Sequence, residues 1–129
     1  METKQPLILI IDDDPGLQML LECFVKEMGL RSEVARNGTE AIDKIPFLKP
    51  DLIVLDLMLP GMSGLKILEM LQTGEALKIP VVVLTGSYIQ NLKEKITACP
   101  NVVELLQKPI KLETFREVVA RGLNRSKAA

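Results

Sequence analysis

The sequence predicts an α/β domain in which a parallel sheet is covered by helices on both faces. Short runs of Leu, Ile and Val alternate along the chain with segments whose apolar residues recur at helical spacing. Apolar runs of this length, bounded by turn residues, are typical of parallel strands buried on both faces. Five alternations of strand and helix need right-handed crossovers, and these produce a doubly wound sheet.

Length and composition indicate one globular domain over residues 1–129. The chain is 47% hydrophobic and 26% charged, as is usual for such domains. No apolar run approaches the roughly 18 residues that span a bilayer, and the first six residues lack the plan of a signal peptide. We therefore expect a cytoplasmic protein without membrane contact. Cys23 and Cys99 are isolated and the chain has no His, which excludes a zinc site and His-activated nucleophiles; we expect both cysteines to act as small hydrophobes.

Charge is unevenly distributed. Residues 1–87 hold 13 acids and 8 bases, whereas residues 88–129 hold 4 acids and 8 bases. The basic second part either offers a face to a partner or consists of scattered solvated side chains. One Tyr, without basic residues interleaved with aromatic ones, argues against direct nucleic-acid binding.

The first half of the chain predicts three strands and two helices. Strands are expected at Leu7–Ile11, at Arg31–Ala35 with Val34 facing inward, and at residues 52–55, which lead into Asp56. Asp14 is expected to cap a helix that starts at Pro15 and ends at Gly29. Its apolar face comprises Leu17, Leu20, Leu21, Phe24, Val25 and Met28. A turn at residues 37–38 leads into a short helix, marked by Ala41, Ile42 and Ile45, that we expect to stop before Pro46.

The second half predicts two more strands and three helices. Ser63 is expected to cap a helix that carries Leu65, Leu68 and Leu71 and runs to Gly74. Strands follow at residues 79–84 and 102–106, with a helix at about residues 89–98 between them. The last helix shows one apolar face, made of Leu112, Phe115, Val118, Val119 and Leu123.

The expected strand order is the flavodoxin-like 2-1-3-4-5, with its switch point between strands 1 and 3. In that order Asp12 and Asp13, after strand 1, lie beside Asp56, at the end of strand 3. Thr85 ends the neighbouring strand 4, and Lys108 follows strand 5. Five polar residues are thus predicted around one crevice at the carboxyl edge of the sheet.

Converging carboxylates repel one another and are tolerated mainly around a cation. Because the ligands are oxygens alone, we expect a hard ion, Mg²⁺ or Mn²⁺. A carboxylate can also attack phosphorus to form an aspartyl phosphate. A hydroxyl such as Thr85 and an ammonium such as Lys108 would then meet the charge of the transferring group.

Four segments of the chain resemble, in order and spacing, the signature segments of the receiver domain of two-component response regulators. They are Ile10-Ile-Asp-Asp-Asp-Pro15, Leu55-Asp-Leu-Met-Leu-Pro-Gly-Met-Ser-Gly64, Leu84-Thr-Gly86 and Gln107-Lys-Pro109. The resemblance implies transfer of a phosphoryl group to Asp56 from a sensor histidine kinase or a phosphotransfer protein. It also implies autodephosphorylation, rather than turnover of a separate substrate as in an enzyme.

The resemblance further implies a role for each site residue. Asp13, Asp56 and the main-chain carbonyl of Met58 would hold Mg²⁺, with Asp12 acting largely through water. Thr85 would hydrogen-bond the phosphoryl group and Lys108 would pair with it. The output would pass through helix 4, strand 5 and helix 5 to a partner or an output domain, with phosphorylation-dependent dimerisation as a further expectation.

The chain departs from the family pattern at several positions. Leu105 stands where the family usually has an aromatic ring or His, so the standard coupling of the Thr to that ring is not expected. Switching is expected instead in the segment after strand 4, where Gly86 adds backbone freedom. Asn101-Val102 replaces the usual Gly-Ala. Met58 and Ser87 occupy positions that tune the lifetime of the phosphoryl group, and we expect moderate to slow hydrolysis.

Three alternatives stay open. Ile10-Ile-Asp-Asp-Asp14 also fits the opening motif of haloacid-dehalogenase-type phosphatases, with Asp12 as nucleophile and Asp14 as acid/base. That family has Gly-Thr after the second Asp, a later acidic pair and cap segments, which this chain lacks. The second alternative is a pseudo-receiver that works as an interaction module without phosphorylation. A flavodoxin is disfavoured because the loop after strand 1 is acidic.

Overall fold

The computed structural model describes residues 5–59, 63–86 and 90–128. Its five strands and five α-helices alternate in the order β1 Leu7–Ile11, α1 Pro15–Glu27, β2 Arg31–Ala35, α2 Gly38–Leu48, β3 Leu52–Asp56, α3 Gly64–Met70, β4 Val81–Thr85, α4 Gln90–Thr97, β5 Val102–Gln107 and α5 Leu112–Ala128. A 3₁₀ helix, Gly74–Lys78, lies between α3 and β4. Within these residues no helix is both long enough and apolar enough to cross a bilayer.

The sheet is fully parallel and has the strand order β2-β1-β3-β4-β5, which confirms the predicted topology. Every residue of β1, β3 and β4 is buried, as expected for central strands with helices on both faces. One face packs on α2, α3 and α4 around Ile53 and Leu55. The other packs on α1 and α5 around Ile10 and Phe115. The apolar face predicted for α5 is confirmed for Phe115, Val118, Val119 and Leu123, which pack in this core, whereas Leu112 is half-buried outside it.

The helix α2 does not stop before Pro46, so that prediction was wrong: the helix continues to Leu48. A proline removes one N–H from the helix ladder, yet here the next turn still closes because the amide of Lys49 donates to the carbonyl of Ile45 at 2.9 Å. Ile45 is buried in the core. Packing of the helix therefore outweighs the local preference of the residue before a proline.

The helix α3 ends at Met70 and does not reach Gly74, which also corrects the prediction. Polar side chains satisfy the last carbonyls: Gln72 Nε2 donates to the carbonyl of Leu68, and Thr73 Oγ1 donates to that of Met70. Gly74, with φ +62°, then begins the 3₁₀ helix. The 3₁₀ helix ends at Lys78, and the N–H of Ile79 caps it by donating to the carbonyl of Ala76, so β4 begins at Val81 instead of residue 79.

Three side chains expected in the interior are at the surface. Leu20 is 40% exposed and Leu65 is 38% exposed, although both lie at helical spacing with buried neighbours. Cys23 is exposed, whereas Cys99 is half-buried against the core. Each helix buries only the side chains directly above the sheet, so some of its apolar residues lie outside the buried stripe. Residues 60–61 of the segment from Leu55 to Gly64 and the predicted start of α4 at residue 89 lie outside the described residues.

Candidate phosphoryl-transfer site

The polar crevice lies where the topology places it, at the carboxyl edge of β1, β3 and β4. Asp56 is the last residue of β3 and is 2% exposed. Asp12 follows β1 and is 1% exposed, and Thr85 ends β4 at 3%. The described part of the chain has four buried polar side chains: these three and Asn101. Buried carboxylates that converge at one edge of a sheet are typical of a functional site.

Both oxygens of the Asp56 carboxylate are held. Oδ1 accepts a hydrogen bond of 2.9 Å from the main-chain N–H of Met58. Oδ2 forms an ion pair of 2.6 Å with Nζ of Lys108, whose side chain is 27% exposed. The ion pair joins the ends of β3 and β5 across the end of β4. The carboxylate is therefore fixed in orientation while its partner cation stays accessible from solvent.

Asp12 is oriented in the same way as Asp56. Its Oδ1 accepts a hydrogen bond of 3.1 Å from the main-chain N–H of Asp14, two residues on, just as Asp56 uses the N–H of Met58. Its main-chain carbonyl accepts from the side-chain amide of Gln18. Its Oδ2 is buried and has no hydrogen-bond partner among the described residues. This oxygen is therefore able to accept a further hydrogen bond or to bind a cation.

The crevice contains two buried carboxylates, Asp12 and Asp56, whose negative charges repel one another. The pKa of Asp12 is raised from 3.8 to about 6, mainly because the side chain is buried and also because the negatively charged Asp56 carboxylate lies close to it. The hydrogen bond from Asp14 and the charge of Lys108 act in the opposite direction. Desolvation and a neighbouring negative charge both disfavour the ionised form of Asp12.

The other predicted residues take positions at the rim. Asp13 and Met58 are exposed next to the two buried carboxylates. The main-chain carbonyl of Thr85 accepts from the amide of Lys108 at 2.8 Å, so the strand ends that carry these two side chains are tied together. Asp14 is exposed, and its side chain accepts from the N–H of Gly16 as the N-cap of α1. The structure therefore does not favour the Asp12/Asp14 pair of a phosphatase.

The donor set suits a hard cation. No group of three or more His, Cys, Asp or Glu side chains in the described ranges is arranged to hold a metal. The set that the sequence implies is smaller, two carboxylates and one carbonyl, with Asp12 acting through water. The partnerless Oδ2 of Asp12 and the raised pKa of that carboxyl show that positive charge placed beside it would be stabilising. The residues present fit Mg²⁺ or Mn²⁺.

Two contributors to the site were missed by the sequence reasoning. The first is the N–H of Met58, which orients Asp56; an Asp at a strand end before a Pro/Gly loop is a signal for such a turn. The second is Gly64, whose amide donates to the carbonyl of Leu57 at 3.2 Å. A Cβ on Gly64 would lie 2.4 Å from the Leu57 Cα and 2.7 Å from the Asp56 carbonyl oxygen. Only glycine allows this approach.

Leu105 is half-buried and packs against the core cluster on the α4 side of the sheet. Gly86 is exposed, and a Cβ built on it would lie 3.8 Å from Cδ of Lys108, so the start of the segment after β4 lies against the lysine of the site. Ser87, which was assigned to the lifetime of the phosphoryl group, lies outside the described residues.

Comparison with known proteins gives consistent matches. Residues 8–120 match the response regulator receiver domain. Sporulation initiation phosphotransferase F of Bacillus subtilis is 34% identical over 121 residues, which cover 90% of this chain and 92% of that protein. The DNA-binding response regulator MtrA of Mycolicibacterium smegmatis is 38% identical over 86 residues, 67% of this chain but 37% of that protein. The chain therefore spans little more than a third of the length of that regulator.

A solved structure shows the same fold at a similar level of identity. The signal receiver domain of a signal transduction histidine kinase from Syntrophus aciditrophicus superposes with a TM-score of 0.83 at 29% identity, and the alignment covers 92% of this chain and 90% of that one.

Proposed function

Because the chain belongs to the response regulator receiver domain family, we propose that it accepts a phosphoryl group on Asp56 from the phosphohistidine of a sensor histidine kinase or phosphotransfer protein. The observation that carries this proposal is the buried Asp56 carboxylate, held by the N–H of Met58 at 2.9 Å and by Lys108 at 2.6 Å. A fixed, partly desolvated carboxylate at a strand end is suited to nucleophilic attack.

In the transfer, one carboxylate oxygen of Asp56 forms a bond to phosphorus while the bond from phosphorus to the imidazole nitrogen of the donor breaks. The imidazole leaves as a neutral ring after taking a proton from solvent. With acetyl phosphate as donor, the bond that breaks is from phosphorus to the carboxyl oxygen, and acetate leaves. In both cases the product is an aspartyl phosphate on Asp56.

The transfer brings extra negative charge into a crevice that already holds Asp12 and Asp13. Mg²⁺ held by Asp13, Asp56 and the Met58 carbonyl would supply positive charge to the phosphoryl oxygens. Asp12 would act through water, with its partnerless oxygen as acceptor. We infer a Mg²⁺-dependent reaction because, among the described residues, Lys108 is the one cation that pairs with a carboxylate of the crevice.

Lys108 and Thr85 would hold the product. Once Asp56 is phosphorylated, the Lys108 ammonium would lose its carboxylate partner and pair with a phosphoryl oxygen instead. The Thr85 hydroxyl, at the end of the adjacent strand, would donate to another. This exchange of partners links the chemical state of Asp56 to the ends of β4 and β5, and it supports an output through α4, β5 and α5 to a partner protein, an output domain or a second copy.

The switch would run through the backbone after β4. Leu105 is aliphatic and packs against the core, so no ring is present there to change place with Thr85. Gly86, adjacent to Lys108, gives that segment its freedom. Amide spectra of the free and phosphorylated protein should differ over residues 86–107; identical spectra in that range would reject this route.

We further propose that residues 1–129 act as one receiver domain in the cytoplasm, as a phosphoacceptor and not as an enzyme with a separate substrate. The match to the DNA-binding regulator covers only part of that protein. We therefore propose that the output passes through a partner or an attached domain. Hydrolysis of the aspartyl phosphate is expected at a moderate to slow rate. A half-life of seconds in Mg²⁺ would contradict that expectation.

The proposal is tested by intact-mass spectrometry after incubation with acetyl phosphate. Wild type in Mg²⁺ should gain one phosphoryl group, and EDTA should prevent the gain. Asp56→Asn should show none, whereas Asp43→Asn, a matched change on the exposed side of α2, should behave like wild type. Phosphoryl gain in Asp56→Asn would refute Asp56 as the acceptor. If the wild type gains nothing, the same samples are tested with a purified phosphorylated histidine phosphotransfer protein, and failure there too favours a pseudo-receiver.

A further inference from the structure

A groove at the amino edge of the sheet, opposite the phosphoryl-transfer site, has no role in the chemistry above. Its volume is about 760 Å³, within the roughly 300–1,000 Å³ that small-molecule sites occupy. It lies between α2, the end of α3 and the 3₁₀ helix, and its apolar walls include Ile42, Ile45, Pro46, Met70, Leu71 and Ile79. The groove is well separated from Asp56, because Pro50 and Ile79 lie before the strands that Asp56 and Thr85 end.

A buried amide holds two walls of the groove in place. Asn101 is 5% exposed, and its Nδ2 donates to the carbonyl of Leu71 at 3.1 Å and to that of Ala76 at 3.4 Å. Gln72 donates to Asn101 Oδ1 at 2.7 Å. Leu71 and Ala76 both line the groove, so Asn101 fixes the end of α3 relative to the 3₁₀ helix. The groove is therefore formed before any ligand binds.

Positive charge predominates at the mouth of the groove. Its charged lining residues are Lys49, Lys78 and Glu75. Lys78 is paired with Glu75 at 3.2 Å, whereas Lys49 forms no ion pair within the described residues. Lys49 caps α2 in the left-handed conformation, with φ 50°, a position that usually selects Gly or Asn. A lysine held there despite the conformational cost indicates a role for its ammonium.

We propose that the groove binds a small amphipathic carboxylate of the medium-chain fatty acid type. The alkyl chain would lie between α2 and α3, and the carboxylate would pair with Lys49 at the mouth. Met70, 37% exposed at the rim, gives the opening an unbranched side chain that adapts to chain length. The mouth of the groove favours an anion because the ammonium groups of Lys49 and Lys78 face only one carboxylate, that of Glu75. One positive charge is therefore not neutralised.

The test is a titration of the full chain with octanoate, followed by NMR of the methyl groups of Ile42, Ile45 and Ile79. Saturable shifts of these methyls are expected. Lys49→Gln, a surface change that removes the charge and keeps a polar, unbranched side chain, should weaken binding about three- to tenfold. Lys26→Gln, an exposed lysine on α1, should leave it unchanged. Asp56→Asn should bind octanoate as wild type does, so this result is independent of the phosphoryl chemistry.

Three outcomes would overturn the proposal. Octylammonium or octanol binding as tightly as octanoate would remove the anion assignment. Absence of methyl shifts up to the solubility limit of octanoate would remove the ligand. A concentration-dependent dimer that octanoate does not dissociate, but that is lost in Phe47→Ser, would identify a second copy as the occupant, because Phe47 is 85% exposed on the neighbouring surface of α2.

Discussion

Replacing Asp12 by Asn should stabilise the free protein at neutral pH although it removes a residue of the site. Asp12 is 1% exposed, and one of its oxygens has no partner in the described part of the chain. Its folded-state pKa of about 6 exceeds the ordinary value of 3.8. About two pKa units correspond to roughly 3 kcal/mol, which is an upper bound on the destabilisation that the charged form causes. The amide of Asn is neutral and can donate to Asp56.

The sign follows from proton linkage. Because the folded state holds the Asp12 proton more tightly than the unfolded state, the penalty is absent below about pH 4 and grows to its full size above about pH 6. Without divalent cations, Asp12→Asn should thus raise the melting temperature by roughly 5–10 °C at pH 7.5 and by much less at pH 4.5. Asp43→Asn is the control. A gain independent of pH, or a loss of stability at pH 7.5, would refute the electrostatic reasoning.

Three further changes test the packing of the site and of the sheet edge. Lys108→Met leaves Asp56 buried without its counter-ion and should lower the free energy of unfolding by about 2 kcal/mol in urea titrations; an unchanged value would mean that the ion pair is not formed in solution. Gly64→Ala should lower it by about 1–3 kcal/mol or more because the new Cβ would meet the backbone after Asp56 at 2.4 Å, whereas Gly16→Ala, with 3.5 Å to its nearest contact, should be neutral. Asn101→Ala removes three hydrogen bonds and should lower it by about 2–3 kcal/mol; a change below about 0.5 kcal/mol would contradict the assigned network.

The convergence of the site residues could be predicted because it depends only on the order of the elements. Once apolar runs are assigned as parallel strands in the order 2-1-3-4-5, residues such as Asp12 and Asp56 must lie at one edge. The structure adds the orientation of the side chains, which the strand order does not determine. Asp56 and Asp12 are each oriented by the N–H two residues on, and Asp14 is directed away as a cap.

Element boundaries and side-chain exposure were less predictable because they depend on tertiary packing. The helix α2 passes through Pro46 since burial of its inner face outweighs one lost hydrogen bond. The 3₁₀ helix after α3 is held by Asn101, the residue just before β5, through a contact 25 residues away in sequence. Leu65 lies at helical spacing with buried residues but outside the width that the sheet covers.

The most direct test of Asp56 as the phosphoacceptor locates the phosphoryl group within the chain. Protein phosphorylated in Mg²⁺ is reduced with borohydride, which converts an aspartyl phosphate to homoserine, and the position of homoserine is read by tandem mass spectrometry. If Asp56 is the phosphoacceptor, homoserine is expected at position 56 alone, with Asp12 and Asp14 unmodified. Homoserine at position 12 would contradict the account and support the phosphatase-type nucleophile instead.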